Sequence, residues 1–256
     1  MDSTSMNFDR AAGYYDETRT DRPETIARVV DFIRAEVAGR GVCLEIGIGT
    51  GRIGLPVASA GVPLIGVDLS AAMIARLIEK AGGGNKPMLA LADATALPFR
   101  DGGFGAAFGS HVFHLIAGWR DVVGELMRVV RPGGVVLTDL GGWDPLIKQM
   151  RHRFTQAVGL AKPFPGTDNP EELDAEFEAR GARVRVLPGI EEPNEVLTES
   201  LIRRFERAQL SYTWQLDDKA LRRGVAELRS WASQALGPGP HRTVNTVQWR
   251  VYDLPA

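Results

Sequence analysis

The first half of the chain alternates between short apolar runs and longer stretches in which apolar residues recur every three or four positions. The first pattern is typical of buried strands and the second of amphipathic helices. Strands that alternate with helices along a chain predict a doubly wound parallel sheet. The predicted strands are 42–46, 64–67, 88–92, 105–108 and 135–140, and the predicted helices are 24–38, 52–60, one that begins at Ser70, and 120–130.

This alternation ends after the fifth predicted strand. Helices are predicted over 144–160 and 171–180, a sixth strand over 183–187, and an antiparallel seventh strand over 244–252. The stretch between the last two strands reads as mostly helical and is too long for a simple turn. We therefore predict an α/β fold with a mostly parallel seven-stranded sheet and a helical insertion. The predicted parts are an N-terminal helical cap (1–40), a core (41–193 and 243–256) and an insertion that acts as a lid (194–242).

A glycine-rich loop follows the first predicted strand. Glycines at positions 47, 49 and 51 separate this strand from the next helix. Glycine permits a positive φ and lets a ligand approach the main chain without meeting a Cβ atom. A loop of this kind at the carboxyl end of a parallel strand is where nucleotide-like cofactors bind in open α/β sheets. Residues 49–54 also fit the dinucleotide pattern G-x-G-x-x-G, which is a weak signal by itself.

Three acidic residues distinguish between the possible cofactors. Glu45 lies inside the first strand, where a dinucleotide site has no use for an acid and a buried carboxylate is costly without a partner. Asp68 ends the second strand and Asp93 follows the third. A cofactor with a cationic amino-acid end, a ribose and an adenine amine could use all three acids. That description fits S-adenosylmethionine. The alternative is that the chain is an NAD-dependent oxidoreductase.

The same residues belong to a longer series of motifs spread over residues 8–142. These are LEIGIGTG at 44–51, GVDLS at 66–70, ADATALPF at 92–99, FGAAF at 104–108, SHVFH at 110–114 and LMRVVRPGG at 126–134. On these motifs the chain resembles the class I S-adenosylmethionine-dependent methyltransferases, close to small-molecule enzymes of the ubiquinone and menaquinone biosynthesis type. The resemblance implies methyl transfer to a small organic acceptor, with S-adenosylhomocysteine as the product. A catalytically silent, cofactor-binding regulatory module is a second alternative.

The acids and the resemblance together define the predicted cofactor site. Glu45 would orient the ammonium end through the loop, Asp68 would bind the ribose, and Asp93 with the amide of Ala94 would bind adenine. Similar family members fold the N-terminal segment over the cofactor, which implicates Tyr15 and Arg19. The remaining predicted contacts are Gly47, Gly49, Gly51, Leu69, Met73 and Ser110.

Two histidines follow the fourth predicted strand, at the rim where the transferable methyl group should project. His114 and His111 are the candidate general bases, because histidine titrates near working pH. Alignment alone can drive methyl transfer from a sulfonium centre, so a mechanism without a base stays open. Within the insertion, Tyr212 or Trp214 is predicted to line the acceptor pocket.

Composition narrows the classes of protein to which the chain could belong. The 256 residues are 44% hydrophobic and 24% charged, as in an ordinary globular protein, and the net charge of −2 gives no drive toward nucleic acid. No apolar run reaches membrane-spanning length, and the single cysteine, Cys43, excludes an internal disulfide. The N-terminus has no apolar export signal. We expect a cytoplasmic enzyme without a metal, acting as a monomer or homodimer on a small molecule.

Overall fold

The computed structural model describes residues 5–18, 22–84, 86–141 and 144–256. The chain forms two compact units. The first comprises Met1–Gly141, Pro165–Ile190 and Gln248–Ala256, and the second comprises Gly142–Phe164 and Glu191–Val247. Within the described residues, no helix is both long enough and apolar enough to cross a membrane.

A seven-stranded sheet forms the centre of the first unit. Its strand order is β3-β2-β1-β4-β5-β9-β6; the first five of these strands pair in parallel, and β9 is antiparallel to both of its neighbours. This confirms the predicted mostly parallel α/β sheet. The strands of the molecule are β1 (Cys43–Ile46), β2 (Leu64–Asp68), β3 (Met88–Leu91), β4 (Phe104–Ser110), β5 (Val130–Asp139), β6 (Arg183–Val186), β7 (Ile190–Val196), β8 (His241–Val247) and β9 (Trp249–Asp253).

Polar residues begin several helices where the sequence provides a capping side chain. The Ser70 hydroxyl accepts a hydrogen bond from the Met73 amide at 3.1 Å, as the predicted cap requires, and Asp144, Asn169 and Asp217 cap later helices. The helices are α1 (Pro23–Val37), α2 (Gly54–Ser59), α3 (Ala71–Ala81), α4 (Trp119–Val129), α5 (Pro145–Val158), α6 (Pro170–Glu178), α7 (Thr198–Glu206) and α8 (Asp218–Ala235).

The predicted last strand is in fact two strands. Residues 244–252 divide at Gln248: β8 pairs with β7 in a separate two-stranded sheet, whereas β9 enters the main sheet between β5 and β6. Hydrophobic alternation runs through both strands with the same period of two. Such a period identifies extended chain but carries no information about the point at which the pairing partner changes.

Two other segments also differ from prediction. The insertion was predicted as mostly helical, but strand β7 begins just before it and continues into its first residues. The β7 sequence, IEEPNEV, is poor in strand-forming residues. Pairing with β8 therefore outweighs local propensity there. The N-terminal segment, predicted as a short helix or cap over 8–19, consists of two single 3₁₀ turns, Asp9–Ala11 and Asp16–Thr18, within its described residues.

Candidate active site

A pocket opens at the carboxyl end of the parallel strands in the first unit. It brings together most of the predicted site residues, although they come from the N-terminal segment, the glycine loop and the ends of β2, β3 and β4. Predicted residues that line it are Tyr15, Gly47, Gly49, Asp68, Leu69, Met73, Asp93, Ala94, Ser110 and His111. Three predicted residues, Glu45, Gly51 and His114, are not among the lining residues, and Arg19 lies outside the described residues.

The glycine loop keeps side chains out of this pocket. Gly47 and Gly49 adopt φ of +63° and +56°, which L-residues with a side chain rarely adopt. A Cβ atom on Gly47 would lie 2.6 Å from Cγ2 of Val112, whereas one on Gly49 would meet no protein atom closer than 3.9 Å. A side chain at position 49 would therefore take up pocket space, so glycine there leaves the main chain open to a ligand.

Asp68 is held rigidly at the end of β2. Its Oδ2 accepts a hydrogen bond from the Gly49 amide at 2.7 Å, and its Oδ1 accepts one from the Ser70 amide at 2.8 Å. Burial raises the pKa of Asp68, and these amides partly oppose that effect. The contact also joins β2 to the glycine loop, so the carboxylate and the loop form one preorganised surface.

Asp93 is oriented by the turn that follows β3. Its Oδ1 accepts hydrogen bonds from the amide and the hydroxyl of Thr95, at 2.9 and 2.8 Å. Ala94, next in the chain, is buried against the pocket. A carboxylate and a small apolar residue thus share this wall of the pocket.

The N-terminal segment is fastened to the site by two acids. Asp9 Oδ1 accepts hydrogen bonds from the Ser70 hydroxyl at 2.5 Å and from the Ala72 amide at 3.2 Å. Asp16 accepts from the Thr50 hydroxyl at 2.6 Å and pairs with Lys80 at 2.9 Å. Between these anchors, Tyr15 lines the pocket.

Glu45 is fully buried in β1 rather than exposed to the pocket. Its Oε2 atom has no hydrogen-bond partner among the described residues. Burial raises the pKa of Glu45 well above its ordinary value, and the nearby Arg52 guanidinium only partly opposes this. Glu45 is therefore an acid next to the glycine loop whose charged form is costly in the folded protein.

The structure separates the two candidate histidines. His111 lines the pocket and adopts φ of +56°, held there by the hydrogen bond from its amide to the Asp139 carbonyl at 2.7 Å. Its Nε2 lies 3.3 Å from Asp139 Oδ2. His114 instead lies in the 3₁₀ turn Phe113–Leu115 and is buried, and its carbonyl accepts from the Gly166 amide at 3.0 Å. The two histidines point in different directions from this turn, so of the two only His111 lines the pocket.

Asp139 is a residue that the sequence prediction missed. Burial alone would raise its pKa, but the His111 ring, Arg52 and the Gly141 amide outweigh burial and lower it. The Gly141 amide donates to Asp139 Oδ1 at 2.8 Å. A signal was available: Asp139 falls at the end of the fifth predicted strand, on the same sheet edge as Asp68 and Asp93.

The pocket fits S-adenosylmethionine better than a dinucleotide. Asp68 and Asp93 supply carboxylates, and its lining residues within the described parts of the chain include no lysine or arginine. The Gly49 amide, which a phosphate would need, already donates to Asp68. The donor set therefore suits a cofactor with hydroxyls, an exocyclic amine and a cationic end, and offers little to a pyrophosphate.

Comparisons with known proteins agree with this reading. The methyltransferase domain family matches residues 44–138. A demethylmenaquinone methyltransferase of Renibacterium salmoninarum is 33% identical over 172 residues, which cover 63% of this chain and 68% of that protein. A malonyl-[acyl-carrier protein] O-methyltransferase of Geobacter sulfurreducens is 26% identical over 180 residues, covering 70% of this chain and 67% of that protein.

Solved structures share the fold at low identity. The YcgJ protein of Bacillus subtilis aligns over 92% of this chain and 100% of its own, with a TM-score of 0.62 and 17% identity. Phosphoethanolamine N-methyltransferase 2 of Haemonchus contortus, solved with S-adenosylhomocysteine, aligns over 97% of this chain and 58% of its own, with a TM-score of 0.58 and 17% identity. The matching domain family and the relative of 33% identity establish that the chain belongs to the class I S-adenosylmethionine-dependent methyltransferases.

Proposed function

We propose that this methyltransferase acts on a small organic acceptor and that the pocket in the first unit is its cofactor site. The observation that carries the proposal is the meeting of Asp68, Asp93, the glycine loop and His111 in that one pocket. S-adenosylmethionine supplies an electrophilic methyl group on a positively charged sulfur. Tyr15, Arg19, Gly51, Leu69, Met73 and Ser110 complete the proposed cofactor contacts.

The acidic residues bind and orient the cofactor in this proposal. Asp68 accepts hydrogen bonds from ribose hydroxyls, and Asp93 with the Ala94 amide recognises the adenine edge. Glu45 acts through the loop at the ammonium end. Two of these carboxylates are already preorganised by backbone or hydroxyl donors, so little ordering remains to be done when the cofactor binds.

His111 is the proposed general base. It lines the pocket, and Asp139 stabilises the positive charge that the ring gains when it takes a proton from the acceptor. His114 has a weaker case, because it is buried away from the lining residues. A mechanism that depends on alignment alone is the competing version of the same reaction.

The second unit is proposed to govern acceptor choice, as the predicted lid. Its aromatic residues are mostly committed to internal packing: Tyr212 lies against Phe164 and Phe205, and the Trp214 indole donates to the Ala208 carbonyl at 2.9 Å. Trp214 is only partly buried and is the better candidate for an acceptor contact. Trp214→Phe should change the acceptor KM or turnover while S-adenosylhomocysteine affinity, measured by calorimetry, stays within about threefold.

The acceptor is to be identified by incubating the protein with S-adenosylmethionine labelled on the methyl group and a metabolite extract. A labelled small molecule in the product mixture supports the proposal. Cofactor binding without any labelled product supports the regulatory alternative. The relatives described above are named for two different acceptors, a demethylmenaquinone and a malonyl-[acyl-carrier protein], so both compounds serve as defined test substrates.

A further inference from the structure

Arg52 connects the glycine loop to the proposed base through hydrogen bonds. It is half-buried at the start of the turn that leads into α2, and its Nη2 donates to the Ser110 hydroxyl at 2.7 Å. That hydroxyl donates to Asp139 Oδ2 at 3.1 Å, the same oxygen that faces His111 Nε2. The path from loop to base therefore consists of three consecutive polar contacts.

The sheet places the two buried acids, Glu45 and Asp139, on the same face. Glu45 on β1 is in register with Phe108 on β4, and Ser110, two residues further along β4, is in register with Asp139 on β5. Paired residues and residues two apart point to the same side of a sheet, so Glu45, Ser110 and Asp139 project from the same face. Arg52 lies on that side, because it contacts Ser110.

Arg52 also acts electrostatically on both buried acids. Burial raises the pKa of Glu45 and would raise that of Asp139, and the Arg52 charge lowers both. Among the described residues, Asp68 from β2 and Cys43 from β1 also interact electrostatically with Glu45, and His111 interacts with Asp139. One cation is thus shared by an acid beside the cofactor loop and an acid beside the base.

We propose that Arg52 is a positioning residue, which holds Asp139 through Ser110 so that Asp139 in turn holds the His111 ring with Nε2 toward the carboxylate. The consequence for catalysis rests on the base role proposed for His111. The way in which the His111 ring is held does not depend on that role, because the ring is held whether or not it takes a proton. The planar, forked guanidinium suits this task, and a lysine keeps the charge without the same reach or geometry.

The test compares Arg52→Lys, Ser110→Ala and the double variant with wild-type protein. Arg34→Lys is the matched control, since Arg34 lies on α1 with its side chain 53% exposed and pairs only loosely with Asp31 at 3.8 Å. Thermal unfolding monitored by circular dichroism selects temperatures at which every variant is folded. Imidazole ¹⁵N chemical shifts of the cofactor-free proteins, assigned with His111→Asn, report which ring nitrogen of His111 carries the proton.

The expected wild-type spectrum shows His111 held in the tautomer with the proton on Nε2, facing Asp139. Arg52→Lys should shift the ring toward a mixture of tautomers, as Ser110→Ala should, and the double variant should add nothing further. Unchanged ¹⁵N shifts in Arg52→Lys, matching those of Arg34→Lys, would overturn the proposal. So would effects of Arg52→Lys and Ser110→Ala that simply add.

Methyl transfer provides the second measurement. With the acceptor found by the extract screen, Arg52→Lys should lower turnover by about tenfold and change S-adenosylhomocysteine affinity by less than about threefold. If His111→Asn keeps near wild-type turnover while Arg52→Lys still alters the ¹⁵N shifts, the base role fails and the positioning role stands. Altered turnover with unaltered ¹⁵N shifts contradicts the positioning role itself.

Discussion

The two units hold their buried acids in different surroundings. In the second unit, Asp144 is buried but caps α5 through the amides of Leu146 and Ile147, and buried Glu192 accepts a hydrogen bond from Asn245. In the first unit, Glu45 and Asp139 are buried within the sheet, with the Arg52 guanidinium near both and the His111 ring beside Asp139. Neither of them caps a helix.

The difference lies in which groups satisfy each buried acid. A buried acid that caps a helix satisfies backbone amides and stabilises the fold. Glu45, a buried acid with one unpartnered oxygen and a raised pKa, costs stability when it ionises, whereas the contacts of Asp139 with His111, Arg52 and the Gly141 amide lower its pKa and favour its charged form in the fold. The remaining charges of the second unit are largely exposed pairs, such as Arg229 with Glu199 and Glu206, which contribute little.

The largest expected effect tests His111, the pocket histidine that contacts the buried Asp139 of the first unit. If His111 removes a proton, His111→Asn should lower turnover by about 10²–10⁴-fold, because the base is lost while the pocket keeps its shape. S-adenosylhomocysteine affinity should stay within about threefold. The exposed His152 on α5 provides the control, since His152→Asn should leave turnover unchanged. Turnover of His111→Asn within about tenfold of wild type would indicate alignment alone.

The second test examines the apolar core of the second unit. Phe205 is buried, with its ring centroid 4.9 Å from that of Phe154 and 6.2 Å from that of Tyr212. Phe205→Ala should lower the free energy of unfolding by about 3–5 kcal/mol, because a large cavity remains. Urea unfolding measures this, with Arg229→Met expected to cost less than about 1 kcal/mol. An equal cost for both variants would contradict the division between core and surface.

A smaller effect is expected at the cofactor pocket. Asp68→Ala should weaken S-adenosylhomocysteine binding by about 1–3 kcal/mol, because charge-assisted hydrogen bonds to the ribose are lost. Isothermal titration calorimetry measures the change, and Asp101→Ala, whose side chain is 81% exposed, is the control. Appreciable binding of NAD by the wild-type protein, without binding of S-adenosylhomocysteine, would overturn the assignment of the pocket.

The smallest effect concerns stability and its pH dependence. The pKa of Glu45 is raised in the folded protein, so its contribution favours folding below the ordinary value of 4.5 and is lost as pH rises through the folded pKa. Glu45→Gln should therefore unfold at higher urea than wild type at pH 8 and lose the decline in stability that wild type shows as pH rises above the ordinary pKa, while binding S-adenosylmethionine more weakly. Lower stability of Glu45→Gln at pH 8 would assign Glu45 to bracing the sheet.

Much of the first unit could be predicted because its signals are local. The apolar runs, the glycines at 47 and 49 and the acids at strand ends lie within a few residues of each other, and parallel strands bring their carboxyl ends to one edge. Asp68, Asp93 and Tyr15 accordingly lie at the predicted pocket. The second unit offered no such series of motifs, and strand β7 was missed.

By itself, the sequence determined the alternating strands and helices, the glycine loop and the family. Only the tertiary structure decided that β8 and β9 belong to different sheets, that His111 and not His114 reaches the pocket, and that Arg52, Ser110 and Asp139 meet. Periodicity reports which residues of one element share a face. Which strands pair, and where a side chain points after a residue with φ of +56°, depends on contacts between segments far apart in the chain.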